Sequence, residues 1–202
     1  KADIPMGEFW SGIQGFHHWS MKLAASAADL NGRHLVGAEA FTAGREHAAW
    51  NHHPYSLKAL GDYFFCRGAT RLYIQASAHQ PWADDVVPGM TLGPHGINLS
   101  RGETWWRQSR AWLAYLARCQ SLLQQGQLVT DVALYYSEDA PATLWPRPHV
   151  TADRYGIPWN VDGDMSPDFW QRVPDGHDFH VLHAGALLTL RVNAARELES
   201  PH

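Results

Sequence analysis

Two glutamates interrupt apolar runs in a way that calls for a partner. In "HLVGAEAFT", residues 34 to 42, Leu35, Val36, Gly37 and Ala38 read as a buried strand, and Glu39 breaks it. "IPMGEFW" places Glu8 in the same manner, 31 residues earlier. A lone carboxylate in apolar surroundings costs several kcal/mol unless it is paired, coordinated or hydrogen-bonded. If both glutamates end neighbouring strands, their carboxylates face one pocket, as acid/base chemistry or binding of a hard cation requires. An arginine such as Arg45 or Arg71 would serve as a purely structural partner, and spacing alone does not choose. A third run, "RLYIQASAHQPW", ends at His79, 40 residues after Glu39. His79 and Trp82 suit hydrogen bonding to and stacking on a sugar, though a histidine capping a buried carbonyl is the plainer role. Arg101 either reaches a pocket rim or caps the turn before the next helix.

Other chemistries find less support. Histidines are abundant (13 in 202 residues), with His17, His18, His47, His52 and His53 grouped in two places. None falls in HExxH or CxxC spacing, so a zinc centre is a minor reading, and calcium held by Glu8, Glu39 and loop carbonyls fits better. No nucleophile elbow, Walker loop or dinucleotide fingerprint occurs. A net charge of −4, without a basic stripe, argues against nucleic acid. No apolar run approaches the roughly 20 residues of a membrane span. Cys66 and Cys119 sit in apolar helical patterns and read as two buried free thiols. Ten tryptophans suit either core packing or sugar stacking.

The elements that must position these residues follow from periodicity. Helices are expected over "HHWSMKLAASAADLNG", stopping at Asn31-Gly32, and over "SLKALGDYFFCRG", with Ser56 as cap and Gly68 as stop. The strongest helix is "ETWWRQSRAWLAYLARCQSLLQQG", where Trp105, Ser109, Trp112, Leu116, Cys119 and Leu123 share a face. "LVTDVALYY" begins a new strand. Residues 137 to about 176 form a long insert rich in Pro, Asp and Trp. Strand–helix alternation is the pattern of βα units on a parallel sheet, and polar residues at strand ends match the active face of a (β/α)8 barrel. Three units are too few to close one. The α/β chain is therefore expected to hold the last three or so βα units of a partial TIM barrel (1–126) and the start of a following α/β domain (127–202). Its opening on Lys-Ala-Asp-Ile-Pro reads as mid-protein sequence.

The segments "IPMGEFW", "AASAAD", "GAEAFT", "HPYSLKALGDYFFCRGATRLYIQASAHQPW", "PGMTLGPHGINLSRGETWW" and "AYLARCQSLLQQGQLVTDVALYYSEDAP" together resemble glycoside hydrolase family 106, the α-L-rhamnosidases. The resemblance is dense over residues 3 to 145 and returns at "DGHDFHVLHAGALL". It implies a large multidomain bacterial enzyme, periplasmic or extracellular, that removes terminal α-L-rhamnose from plant polysaccharides and glycosides with inversion. By that resemblance Glu39 is the general base, Glu8 a calcium ligand, and His79 a sugar contact. Inversion needs carboxyl groups roughly 6.5–9.5 Å apart. The general acid is then expected on an earlier strand, in an N-terminal part of the same polypeptide upstream of Lys1. Asp29 departs from the family, where a histidine is expected near the end of that helix.

Two readings compete with an inverting rhamnosidase. One is a non-catalytic carbohydrate-binding barrel relative, in which tryptophans stack on sugar and no acid exists. The other is a histidine-rich metallohydrolase. A barrel piece on its own is expected to be inactive and to self-associate through its open edges.

Overall fold

The computed structural model describes residues 2–11, 18–44, 50–93, 95–135, 151–152, 158–159, 173–174 and 176–200. Three strands, β1 (Met6–Ser11), β2 (Gly37–Ala43) and β3 (Arg71–Ile74), form a parallel sheet in that order. Helices α1 (His18–Asp29) and α2 (Pro54–Cys66) supply the crossovers that parallel strands require. The architecture is mixed α/β, and the sheet is open among the described residues.

Alternation divides each strand between two faces. Phe9 and Phe41 turn toward the helices, where Phe9 stacks on Phe64 of α2 at 4.2 Å and meets Phe41 edge-on at 5.0 Å. Phe9, Phe41, Met21 and Leu57 are fully buried there. Met6, Glu8 and Trp10 take the opposite face, beside Gly37 and Glu39 of β2 and Arg71 and Tyr73 of β3. That second face is the open one: Met6 is 51% and Tyr73 41% exposed.

Glycines set how closely the layers approach. A Cβ on Gly7 would lie 2.6 Å from the backbone carbon of Ser20, so only glycine lets α1 lie directly on β1. Replacing Gly7 with Ala is expected to cost about 2 kcal/mol in denaturant unfolding, because rigid backbone must move. An unchanged midpoint would show that the helix rests elsewhere. Gly61 of α2 makes comparable room for the Phe41 ring, 3.0 Å from where its Cβ would stand.

Local details refine several expectations. Helix α2 begins two residues before Ser56, with Pro54 at its first position and His53 as N-cap. Ser56 is its third residue, and its hydroxyl accepts the His53 N–H at 3.0 Å. A short 3-10 turn (Trp106–Gln108) precedes α3 (Ser109–Leu123), whose Ser109, Trp112 and Leu116 are buried as the helical period requires. Trp105 packs on the core while Trp106 is 38% exposed. The expectation of two buried thiols fails for Cys66, which is exposed; it is the last residue of α2, off the face carrying Leu57, Gly61 and Phe64. Cys119 is half-buried, and both thiols are free.

Past α3, β4 (Val132–Tyr135) pairs in parallel with β7 (Phe179–Leu182) as a separate two-stranded sheet. Most of the Pro/Trp-rich insert lies outside the described residues; within it, β5 (Thr151–Ala152) and β6 (Pro158–Trp159) pair antiparallel. A six-residue helix α4 (Ala184–Thr189) and the antiparallel β8 (Arg191–Val192) and β9 (Leu198–Glu199) follow among the described residues. The β7 end docks on the outer side of α1. Lys22, fully buried, binds both Asp178 oxygens at 2.8 Å. His180 meets Ser26 at 3.2 Å and Asp29 at 2.9 Å. Lys22, Ser26 and Asp29 are spaced one helical turn apart, so one stripe of α1 holds the second sheet. Asp29, where the resemblance led one to expect a histidine, is occupied by this contact. Among the described residues no helix is long and apolar enough to cross a membrane.

Candidate functional site

Glu8 and Glu39 are directly opposed in the parallel register of β1 and β2, and Tyr73 of β3 continues the same row. Neighbouring strands lie roughly 4.8 Å apart, so the two side chains rise from adjacent points on the open face. Both are half-buried. They do not end their strands, as the apolar runs suggested: β1 continues for Phe9, Trp10 and Ser11, and β2 through Ala43. Period-2 alternation explains this, since the residues that follow alternate between the pocket face and the core.

The register then shifts. Glu8 pairs with Glu39, but Trp10 pairs with Thr42, so β2 carries one extra residue. Phe41 sits in the bulge with φ 60°, a conformation that an aromatic residue rarely adopts. Burial of its ring between Phe9 and Trp112, 5.4 Å away, holds it there. The extra residue reverses the alternation, so Thr42 emerges on the face of Glu39 instead of the opposite one. Its hydroxyl donates to Glu39 Oε1 at 2.8 Å. The bulge thus supplies the carboxylate with an orienting hydrogen bond, and strained backbone of this kind gathers at functional sites.

Glu8 is fixed through its main chain. The Ser20 hydroxyl of α1 accepts the Glu8 N–H and donates to the Glu8 carbonyl, both at 3.0 Å. The structural alternative for Glu39 does not arise with Arg71, whose guanidinium lies over the Tyr73 ring, 5.7 Å from its centroid. Arg45 lies outside the described residues.

The segment after β3 returns to wall the strand ends. Gly96 N–H binds the Ala43 carbonyl, Ile97 N–H that of Gln75, and Leu99 N–H that of Ala76, at 2.9 to 3.1 Å. On the other side, Ser11 Oγ contacts His52 Nε2 at 2.9 Å, and Trp105 donates to the His52 carbonyl at 2.8 Å. His52 therefore belongs to the rim. His47 and His17 lie outside the described residues, and nothing is described of the His18 side chain.

The remaining expected residues sit farther along the chain. Strand β3 ends at Ile74, five residues before His79, so His79 is an exposed loop residue. Trp82 follows in the same loop at 49% exposure. Arg101 ties that loop down: it donates to the Trp82 and Gln80 carbonyls and pairs with Asp84 at 2.7 Å. Gln80 closes the loop on itself through both main-chain groups of Met90. One carboxyl that the sequence reading missed is Glu103, in "GETWW", which is 4% exposed. Burial pushes it above the ordinary carboxylate range, against the Thr104 N–H and hydroxyl that donate to Oε1, while Oε2 has no partner.

Calcium takes six to eight oxygen ligands. The Glu8 and Glu39 carboxylates are of the right chemistry and lie side by side. Among the described residues, however, no group of three or more His, Cys, Asp or Glu gathers to hold a metal. Two carboxylates are by themselves too few for either a calcium shell or a zinc set. A cleft of about 170 Å³, lined by Ala25, Arg33, Phe65, Thr70 and Leu128 among others, lies at the opposite end of the sheet and shares no residue with this row.

Comparison with known proteins bears on the family of the chain. A family model described as alpha-L-rhamnosidase matches residues 1–156. A Formosa agariphila protein provisionally named a beta-glucuronidase is 44% identical over 149 residues, covering 74% of this chain and 12% of that protein. The solved structure of a rhamnosidase from Novosphingobium sp. PP1Y aligns with a TM-score of 0.79 and 32% identity over 99% of this chain and 17% of its own. The chain thus spans a small part of each relative's length. It belongs to glycoside hydrolase family 106, the alpha-L-rhamnosidases.

Proposed function

We propose that this chain carries the general base of an inverting α-L-rhamnosidase acting on rhamnose-ended plant polysaccharides or glycosides. The observation that supports it most is the Glu8–Glu39 row with Thr42 turned onto Glu39 by the bulge. In this reading Glu39 accepts a proton from water as it attacks the anomeric carbon, and Thr42 holds the receiving carboxylate in place. Glu8 and Glu39 rise too close together to be the separated pair that inversion needs. The acid that protonates the leaving oxygen then comes from a neighbouring strand, and the three strands seen here are the last part of a (β/α)8 barrel. His79, Trp82 and Arg101 shape the sugar-facing loop, Arg101 by holding it.

Glu8 is assigned to calcium. Opposed like charges on one face repel, and a divalent cation beside them would remove that cost and could orient sugar hydroxyls. Chelation of the full-length enzyme should lower its unfolding temperature, and calcium, but not zinc, should restore it; saturation at a hundred times the dissociation constant is worth about 2.7 kcal/mol. The family's usual compartment, periplasm or cell exterior, supplies calcium readily.

The decisive test is the full-length enzyme with p-nitrophenyl α-L-rhamnoside, followed by proton NMR from the first turnover. Early appearance of β-L-rhamnose supports inversion, whereas the α-anomer first would mean retention. Because one relative is named a beta-glucuronidase, a β-glucuronide belongs beside it; preference for that substrate would move the sugar assignment.

A further inference from the structure

Beyond the carboxylate row, the next row along the strands holds polar atoms that nothing among the described residues satisfies. Two residues past Tyr73, alternation brings Gln75 to the open face, and its N–H continues the ladder to the Ala40 carbonyl at 3.0 Å. Trp10 and Thr42 are paired in the same layer. His95 closes over it, its ring edge-on to Trp10 with centroids 6.0 Å apart. Gly96 presses on the Gln75–Ala76 peptide, where a Cβ would stand 2.9 Å from the Ala76 nitrogen, so His95 is carried tightly against the end of β3.

Gln75 Oε1 and His95 Nδ1 are both buried and, among the described residues, without a hydrogen-bond partner. Native proteins rarely leave such atoms unpaired, because each loses its bond to water and gains nothing. Two of them in one layer, beside an indole ring and one step beyond the carboxylate row, mark a place built for a partner from outside. The amide oxygen needs a donor. A hydroxyl supplies one, and it also suits a ring nitrogen in either tautomer, since it donates and accepts. A hard cation fits less well, because an imidazole nitrogen is a poor ligand for it.

We propose that Gln75 and His95 form a hydroxyl-binding subsite for the sugar, with the Trp10 ring as its apolar wall. This rests on the reading of the open face as the glycoside site. The subsite positions sugar over the carboxylates; neither residue takes part in proton transfer.

The test uses full-length protein carrying Glu39→Gln, so that bound glycoside persists. Gln75→Leu keeps the shape and removes the acceptor; His95→Phe keeps the ring contact with Trp10. Each should weaken methyl α-L-rhamnoside binding by roughly tenfold or more in titration calorimetry. Each should also leave the ligand-free unfolding temperature unchanged or raise it, because an unsatisfied buried atom is removed. A purely structural role would instead lower that temperature and leave binding untouched. If the parent ignores the rhamnoside but binds a β-glucuronide through Gln75 and His95, the proposed sugar falls and the subsite stands. If neither substitution alters binding of any glycoside that the parent takes up, the subsite is overturned. A parent that binds neither glycoside overturns both.

Discussion

Glu39→Gln in the full-length enzyme should reduce kcat on an α-L-rhamnoside by about 10³-fold, within the 10²–10⁴ range typical of a lost general base. The amide keeps the size of the side chain and can still meet the Thr42 hydroxyl, so the unfolding midpoint and substrate binding should stay near those of the wild type. Wild-type turnover from this variant would remove Glu39 from the mechanism. Thr42→Val is the graded companion. It deletes the 2.8 Å hydrogen bond to Oε1 while nearly preserving volume. The expected loss is about tenfold in kcat, as for one hydrogen bond to a charged group. An equal loss in both variants would point to disruption of β2 and not to the base.

Asp178→Asn should destabilise the chain by about 3 kcal/mol in chemical denaturation, the lower end of the range for breaking a buried ion pair. The lower end applies because Asp178 keeps 27% exposure, whereas Lys22 has none. The substitution strands the Lys22 ammonium among α1, Phe179 and Arg67, with the Phe179 ring 5.1 Å away. Lys22→Met should cost much less, since Asp178 remains solvated and 3.8 Å from Arg67. Equal costs would mean that the pair is not buried as described. The pH dependence has a definite sign. Burial lowers the Lys22 pKa below its ordinary 10.5, opposed by the hydrogen bond and charge of Asp178, with Arg67 adding to the lowering. Between the lowered value and 10.5 the unfolded chain binds more protons, so this residue's contribution to stability rises with pH across that window. In Asp178→Asn the opposing influence is lost, and the rise should begin at a lower pH.

Much of the site was legible in the sequence because it depends on residue type within a periodic context. Glu8 and Glu39 stood out as charges in apolar runs, and Trp112 and Leu116 as part of a helical stripe. What stayed hidden depends on pairing between distant segments. The pairing of β4 with β7 spans the Pro/Trp-rich insert, and the Lys22–Asp178 contact joins residues 156 apart. The end of β3 was placed too far along because the small residues after "RLYI" give no turn signal before His79. Instead, residues 96 to 99 fold back and take the Gln75 and Ala76 carbonyls. Gln75 and His95 gave no signal of their own; only their burial without partners separates them from other polar residues near a sheet.

The bulge in β2 makes the site depend on the number of residues as well as their identity. Deleting Ala40 would leave Glu8, Glu39 and Thr42 all present, and Met6 to Ser11 would then face a strand of ordinary alternation. Thr42 would stand two residues after Glu39 and keep its face, while Phe41 would point to the helices without the bulge. In a sequence comparison such a variant would show every polar group of the site intact and differ by a single gap. Relatives of this chain can therefore hold the hydroxyl on the carboxylate face with a spacing of two or, given the bulge, of three.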